Sequence, residues 1–264
     1  MHGTNGKRDV NFSAVIPTWN EEEWLPGLLT NLQRFPQVVE VVVADNDSVD
    51  QTRKIARSYG ARVVSGGRPA VARNNGMEYA SSDFVLFIDA DAAVTGPVLS
   101  RVAEAFSDGQ NVAVHFPLRP IGGSVFGRFC YSIMDAYIRA LSAFGVAQGA
   151  GTFLAVRKAC FREVGGFDEA IGPGEDADFL RKVSKRGKVR YDRSVQVGTS
   201  IRRFHIENPL IFALKTCGWA LLRLLKARFP VGRYGWKSYP RGLGNSERPL
   251  YIDFISMQEA KRNA

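Results

Sequence analysis

Two aspartates one residue apart, Asp89 and Asp91, close the apolar run Phe84–Ile88 in FVLFIDADAAV. Carboxylates this close repel each other unless one keeps its proton or a cation lies between them. A hard divalent ion with oxygen ligands, Mg2+ or Mn2+, resolves the conflict and can bridge onward to a phosphate. The plain alternative is a solvated Asp-x-Asp turn, a common way for a strand to end. A second acidic pair, Glu175 and Asp176, follows the loop Gly172-Pro173-Gly174 and opens a helical stretch running to about Lys185. Acids suit a helix start, so simple capping is the bland reading of that pair. Arg73, in ARNNG, carries a fixed charge and five donors, which suits a base edge or a phosphate.

The elements that must position these groups alternate. Asn11–Pro17 and Val38–Ala44 are short apolar runs that predict strands; the second is long enough in Val and Ala to be buried on both faces. Leu25, Leu28, Leu29 and Leu32 form a helical stripe, with Asn20 expected as its N-cap and Glu21–Glu23 in its first turn. Gln51–Tyr59 reads as a short basic helix, Ala61–Val64 as a third strand, and the ARNNG stretch as a helix leading to Phe84. This β-α-β-α-β-α-β order predicts an α/β fold with a mainly parallel, doubly wound sheet. Three strand ends then bring polar groups to one edge: Pro17–Glu22, Asp45–Ser48 and Asp89–Asp91. In open α/β sheets that edge is where ligands bind.

Composition narrows the partners. The 264 residues carry a formal net charge of +9, which calls for an anionic partner: a phosphorylated ligand, a nucleic acid or an acidic membrane surface. Three scattered cysteines, Cys130, Cys160 and Cys217, lack metal-ligand spacing and read as reduced core residues of a cytoplasmic protein. No secretory signal and no uncharged run of membrane-spanning length is expected. A Gly-x-Gly-x-x-Gly fingerprint and a Gly-rich Lys-Ser/Thr loop are both missing, which argues against dinucleotide and P-loop nucleotide binding.

In order and spacing, VIPTWNEEEWL, VVVADNDSVDQT, ARNNG, FIDADA, GAGTFLAVRKACFREVGGFDE and GEDADFLRKVSKRG resemble the family 2 glycosyltransferases of the GT-A fold. The likeness runs from about Phe12 to Arg203. It implies a GT-A domain over residues 10–205, with a nucleotide-sugar half at 10–95 and an acceptor half at 96–205. Residues 206–264 would then be a helical, basic C-terminal extension. The implied activity is metal-dependent, inverting, non-processive transfer of a sugar from a nucleoside-diphosphate sugar, UDP ahead of GDP, to a hydroxyl or lipid-linked acceptor. By the same resemblance Pro17, Trp19 and Glu22 wall the base and ribose, Asp45 accepts a hydrogen bond from the base, and Asp89 contacts the ribose or a metal-bound water. Asp91 ligates Mn2+ or Mg2+, with His205 as a late ligand, and Arg73 and Arg203 meet the nucleotide or its phosphates. Gly151 and Thr152 belong to the acceptor-side loop, Asp176 is the catalytic base, and Glu175 orients it or the acceptor. Where the family has DDGS this chain has DNDS, and SIRRFH replaces the QxxRW of processive members.

Between and beyond these motifs the sequence says less. Phe116–Ala147 is apolar and aromatic, and packing in the core is the expected role, with an acceptor wall or membrane-facing surface as the alternative. Asn208–Phe229 mixes Leu and Trp219 with Lys and Arg, as an in-plane helix on an anionic bilayer would, so peripheral attachment to the cytoplasmic face is an expectation. Two rivals remain. A sugar-nucleotide nucleotidyltransferase would want a Gly-rich loop where PTWNEEE stands. A non-catalytic basic binding protein on the same scaffold would not need Asp45, Asp91 and Asp176 together, and no stacking platform for nucleic acid is present.

Overall fold

Short apolar runs and helical stripes close into two sheets. The structure, a computed structural model, describes residues 10–122, 125–172, 174–202, 251 and 253–258. The strands are β1 (Phe12–Thr18), β2 (Val38–Asp45), β3 (Arg62–Ser65), β4 (Phe84–Ile88), β5 (Ala92–Ala93), β6 (Asn111–His115), β7 (Leu118–Ile121), β8 (Phe153–Arg157), β9 (Lys188–Tyr191) and β10 (Val197–Ser200). The helices are α1 (Leu25–Leu32), α2 (Thr52–Ser58), α3 (Pro69–Tyr79), α4 (Gly96–Ser107), α5 (Val125–Ala143), α6 (Lys158–Glu163) and α7 (Glu175–Val183). The main sheet has seven strands in the order β3-β2-β1-β4-β8-β6-β9, and a second sheet has three in the order β5-β10-β7. β1, β2, β3 and β4 pair in parallel, as do β6 and β9, while β8 runs antiparallel to both neighbours. The expected mainly parallel sheet is therefore present.

Burial on both faces explains why β1 and β4 read as near-continuous apolar runs rather than alternating ones. One face packs against Leu25, Leu28, Leu29 and Leu32 of α1 and Val98, Leu99, Val102 and Phe106 of α4. The other packs against Ala70 and Met77 of α3, Phe161 of α6, and Phe179, Leu180 and Val183 of α7. There Phe167 stacks on Phe179 with centroids 4.3 Å apart and planes 24° apart.

Two expectations need correction. Asn20 is not the N-cap of α1: Trp24 is, and Pro26 occupies the first turn, where its missing amide costs nothing. Asn20 instead takes a left-handed conformation, φ 56°, which Asn tolerates better than most residues. The second correction concerns α5. Within Phe116–Ala147, Phe116 and Ile138 are buried as expected, but Phe126, Phe129 and Ile133 of α5 are exposed although the helix lies along β7. No helix among the described residues is long and apolar enough to cross a membrane.

The end of the chain returns to the body. Tyr251, Phe254 and Ile255 bury against Ala93 and Ile121 on the three-stranded sheet, and the Tyr251 hydroxyl donates to the Ala92 carbonyl at 2.9 Å. A Cβ added at Gly198 of β10 would lie 2.8 Å from the Phe254 ring, so this docking needs a glycine there. Cys130 and Cys160 are free thiols; Cys160 is buried as a core residue, whereas Cys130, on α5, is only half-buried, contrary to expectation, and Cys217 and the stretch Asn208–Phe229 lie outside the described residues.

Candidate active site

The site is assembled at the carboxyl ends of β1, β2 and β4, beginning with two loops sewn together by side chains. Asn20 accepts from the Val49 amide at 2.9 Å, and its own amide donates to the Ser48 hydroxyl at 2.8 Å. The Glu21 amide donates to Thr52 Oγ1 at 2.7 Å, while Glu22 accepts from the Gln51 amide at 2.9 Å. Asp45 is committed here: Thr18 Oγ1 donates to it at 2.9 Å, the Ser48 amide at 3.0 Å and the Ser48 hydroxyl at 2.5 Å. Arg53 stands 3.5 Å from the same carboxylate, whose side chain is 1% exposed. As placed, Asp45 and Glu22 spend their oxygens on loop geometry. Pro17 is buried and Trp19 half-buried beside them.

Arg73 organises the next layer. It projects from α3 and is 3% exposed. Its Nη1 binds Glu175 at 2.9 Å, and its Nη2 reaches Asp89 at 3.1 Å and the Gly151 carbonyl at 3.2 Å. Its guanidinium also lies over the Phe167 ring, 5.4 Å from the centroid. Burial alone would weaken its charge, but Asp89, Glu175 and Asp176 outweigh that and hold its pKa above the ordinary value. Its Nη1 and Nη2 are thus given to protein oxygens, while its buried Nε has no hydrogen-bond partner among the described residues.

On the far side of Arg73 stands Asp176. Gly174 precedes α7 at φ 89°, a left-handed turn that suits glycine and aims the first helical residues at the sheet edge. Asp176 accepts from the Ala177 amide at 2.7 Å. Burial, followed by the charge of Glu175, pushes its pKa up to about 7, against the opposing pull of Arg73. A carboxyl titrating there can hold or release a proton near neutral pH, which is what a general base needs. The loop of Gly151 and Thr152 touches the same groups: the Thr152 carbonyl accepts from the Asp89 amide at 3.0 Å, and the Gly151 carbonyl from Arg73.

Asp91 has its own arginine. Arg202, just after β10, places Nε 3.0 Å from Asp91 Oδ2 and both Nη atoms on Glu21, at 2.5 and 2.8 Å. Its guanidinium sits 5.7 Å from the Trp24 ring centroid. Burial raises Glu21 to about 7, with Arg202 opposing and the charges of Asp91 and Asp89 adding to the rise. The sequence pointed to Glu22 and Arg203 in these two motifs. Beside them, Glu21 and Arg202 pair across a separation of 181 positions, which no one-dimensional signal announces.

The carboxylates of Asp89 and Asp91 are hard donors at a strand end, and their chemistry fits Mg2+ or Mn2+ as part of a ligand set. Among the described residues no group of three His, Cys, Asp or Glu side chains gathers into a complete one. His205 and Arg203 lie outside the described residues.

Comparison with known proteins agrees with this architecture. The model of glycosyl transferase family 2 matches residues 13–165. The poly(ribitol-phosphate) β-N-acetylglucosaminyltransferase TarS of Staphylococcus aureus is 36% identical over 110 residues, 38% of this chain and only 19% of TarS. The structure of its residues 1–349 in complex with UDP-GlcNAc superposes with a TM-score of 0.59 at 22% identity, over 72% of this chain and 58% of that one. The mannosyltransferase PcManGT of Pyrobaculum calidifontis, in complex with GDP-Man and Mn2+, gives 0.63 at 18% identity over 95% of this chain and 74% of that one. At those identities the two structures speak for the fold, while the family model spans more than half of the sequence: the chain belongs to glycosyltransferase family 2.

Proposed function

We propose that the protein transfers a sugar from a nucleoside-diphosphate sugar, UDP ahead of GDP, to an acceptor hydroxyl, with inversion at the anomeric carbon and without processivity. The observation that carries this reading is the bridge Asp89–Arg73–Glu175. One buried guanidinium ties the Asp-x-Asp strand end to the acidic head of α7. Donor and acceptor groups thereby share one rigid frame. Preorganisation of this kind spares the reaction the entropy of assembling its parts.

Within that frame Asp176 is the base. Its carboxylate takes the proton of the acceptor hydroxyl as that oxygen forms its bond to the anomeric carbon, and the bond from that carbon to the diphosphate breaks with the electron pair leaving on the phosphate oxygen. Asp91 would hold a divalent ion, with Asp89 toward the ribose or a metal-bound water; when bound, the ion supplies charge neutralisation to the departing diphosphate. Glu175 keeps Arg73 in register with Asp89, Gly151 and Thr152 present backbone to the acceptor, and Pro17 and Trp19 line the base. Asp45 and Glu22 act by fixing the loop on which the base rests. Arg203 and His205 keep the roles the family resemblance implies, against the diphosphate and the metal.

An acceptor presented at an anionic lipid surface, on the cytoplasmic face, is part of this proposal. It is supported by the net charge of +9 and the exposed Phe126, Phe129 and Ile133 of α5. Flotation with anionic and with neutral vesicles tests it; equal recovery with both removes the membrane from the proposal.

Isothermal titration with UDP and with GDP, each with and without Mn2+, tests the central reading. Metal-dependent binding of one nucleotide that disappears in Asp91→Ala supports it. Failure of both nucleotides to bind in the presence of metal refutes it.

A further inference from the structure

Glu21, Arg202 and Asp91 form a buried chain of charges, of which the proposed transfer uses Asp91 and gives no role to the other two. Each is at most 9% exposed, and the three come from the loop after β1, the end of β10 and the turn between β4 and β5. All three guanidinium nitrogens contact the cluster's carboxylates: both Nη atoms on Glu21 and Nε on Asp91. With Glu21 and Asp91 both ionised, two carboxylates and one guanidinium sum to a single negative charge. A divalent ion arriving at Asp91 would meet a cation already 3.0 Å from one carboxylate oxygen. Like charges that close, in a site largely shielded from water, repel more strongly than they would in solution. A diphosphate added alongside the ion supplies the missing negative charge.

We infer that Arg202 is the resident counter-charge of Asp91, anchored by Glu21, and that it makes metal binding conditional on the nucleotide: the ion competes with Arg202 Nε for Asp91 and succeeds when the diphosphate arrives with it. Arg202 and Glu21 are positioning residues acting through Asp91. This rests on the reading of Asp91 as a metal ligand. It goes further by assigning an order of binding to two residues outside the motif. The fork on Glu21 matters because it keeps the guanidinium beside the site whether or not Nε holds Asp91.

The test is Mn2+ affinity, read by the paramagnetic resonance signal of free Mn2+, with and without UDP or GDP. It compares wild type, the neutral double variant Glu21→Gln/Arg202→Met, and Glu21→Gln alone. Replacing Glu21 together with Arg202 avoids stranding the Glu21 carboxylate and leaves Asp91 as the one acid without its arginine, and circular dichroism melting verifies that each variant is folded. The double variant is expected to bind Mn2+ without nucleotide about tenfold more tightly than wild type, a typical size for coupling between two ligands. Its gain in Mn2+ affinity on adding nucleotide should shrink by the same factor. Glu21→Gln alone leaves Arg202 on Asp91 and should not tighten Mn2+ binding. A merely structural pair would leave affinity unchanged or weaken it in every variant, and that outcome overturns the inference while leaving the metal-dependent transferase reading intact if wild type still binds Mn2+ with nucleotide. Absence of Mn2+ binding in all three proteins under every condition overturns both.

Discussion

The Asp-x-Asp turn is held by two arginines that look alike and are built differently. Arg73 holds Asp89 and Glu175 from beneath the sheet edge, and Arg202 holds Asp91 and Glu21 from the end of β10. Each is buried, each lies over an aromatic ring, and each bridges an aspartate of the turn to a glutamate. Their surroundings diverge. Arg73 leaves the middle of a helix, also binds the Gly151 carbonyl, and faces carboxylates with side chains 34% and 15% exposed. Arg202 faces carboxylates at 12% and 7%, and the more buried of these, Glu21, is raised to about 7. Water therefore screens the first cluster more than the second, and helix geometry fixes the first more firmly. The lesson is that equal ion pairs can serve unequal ends: one fixes a frame, the other balances a charge.

Replacement of Asp176 probes the frame directly and has the largest expected effect. Asp176→Asn is expected to lower kcat about a thousandfold while leaving nucleotide binding within twofold of wild type, the loss typical of a positioned base. With the carboxyl raised to about 7, kcat/KM should fall about tenfold per pH unit below 7 and level off above it. A flat profile between pH 5 and 8 would remove Asp176 from the role of base.

Next in size is the contrast between the arginines themselves. Arg73→Met strands two carboxylates and a carbonyl and is expected to cost about 3 kcal/mol in urea unfolding at neutral pH. Arg202→Met should cost less at pH 6 than at pH 8. Glu21 binds its proton more tightly folded than unfolded, at about 7 against 4.5, so its share of stability is complete below about pH 4.5 and is lost as pH rises through about 7. At pH 6 the orphaned Glu21 can simply stay protonated. Equal costs for the two variants at both pH values would erase the distinction drawn above.

Smaller effects follow. Gly151→Ala brings a Cβ to 2.6 Å from Arg73 Nη2, and the displacement should cost about 2 kcal/mol, an ordinary penalty for overpacking. Phe129→Ser on the exposed face of α5 should change stability by no more than about 0.5 kcal/mol by the same unfolding assay, since no core contact is lost.

Much of this was legible in the chain because it is local. The buried runs Phe12–Thr18 and Phe84–Ile88, the leucine stripe of α1 and the acidic start of α7 follow from periodicity and burial alone. So does the arrival of Asp45, Asp89 and Pro17–Glu22 at one sheet edge, which is a consequence of parallel strands. The N-cap of α1 was misplaced because Asn20 found better partners in Ser48 and Val49, on a loop 28 residues away. The exposure of Phe126 and Phe129 was missed because an apolar stripe reads the same whether it faces a core or the outside. The sequence by itself determined the elements, their order and the acids that line the edge. Only the tertiary structure decided which cation meets which acid. A guanidinium on a long side chain can reach many carboxylates, and the choice of Glu21 by Arg202, 181 positions away, exists only after the chain between them has folded.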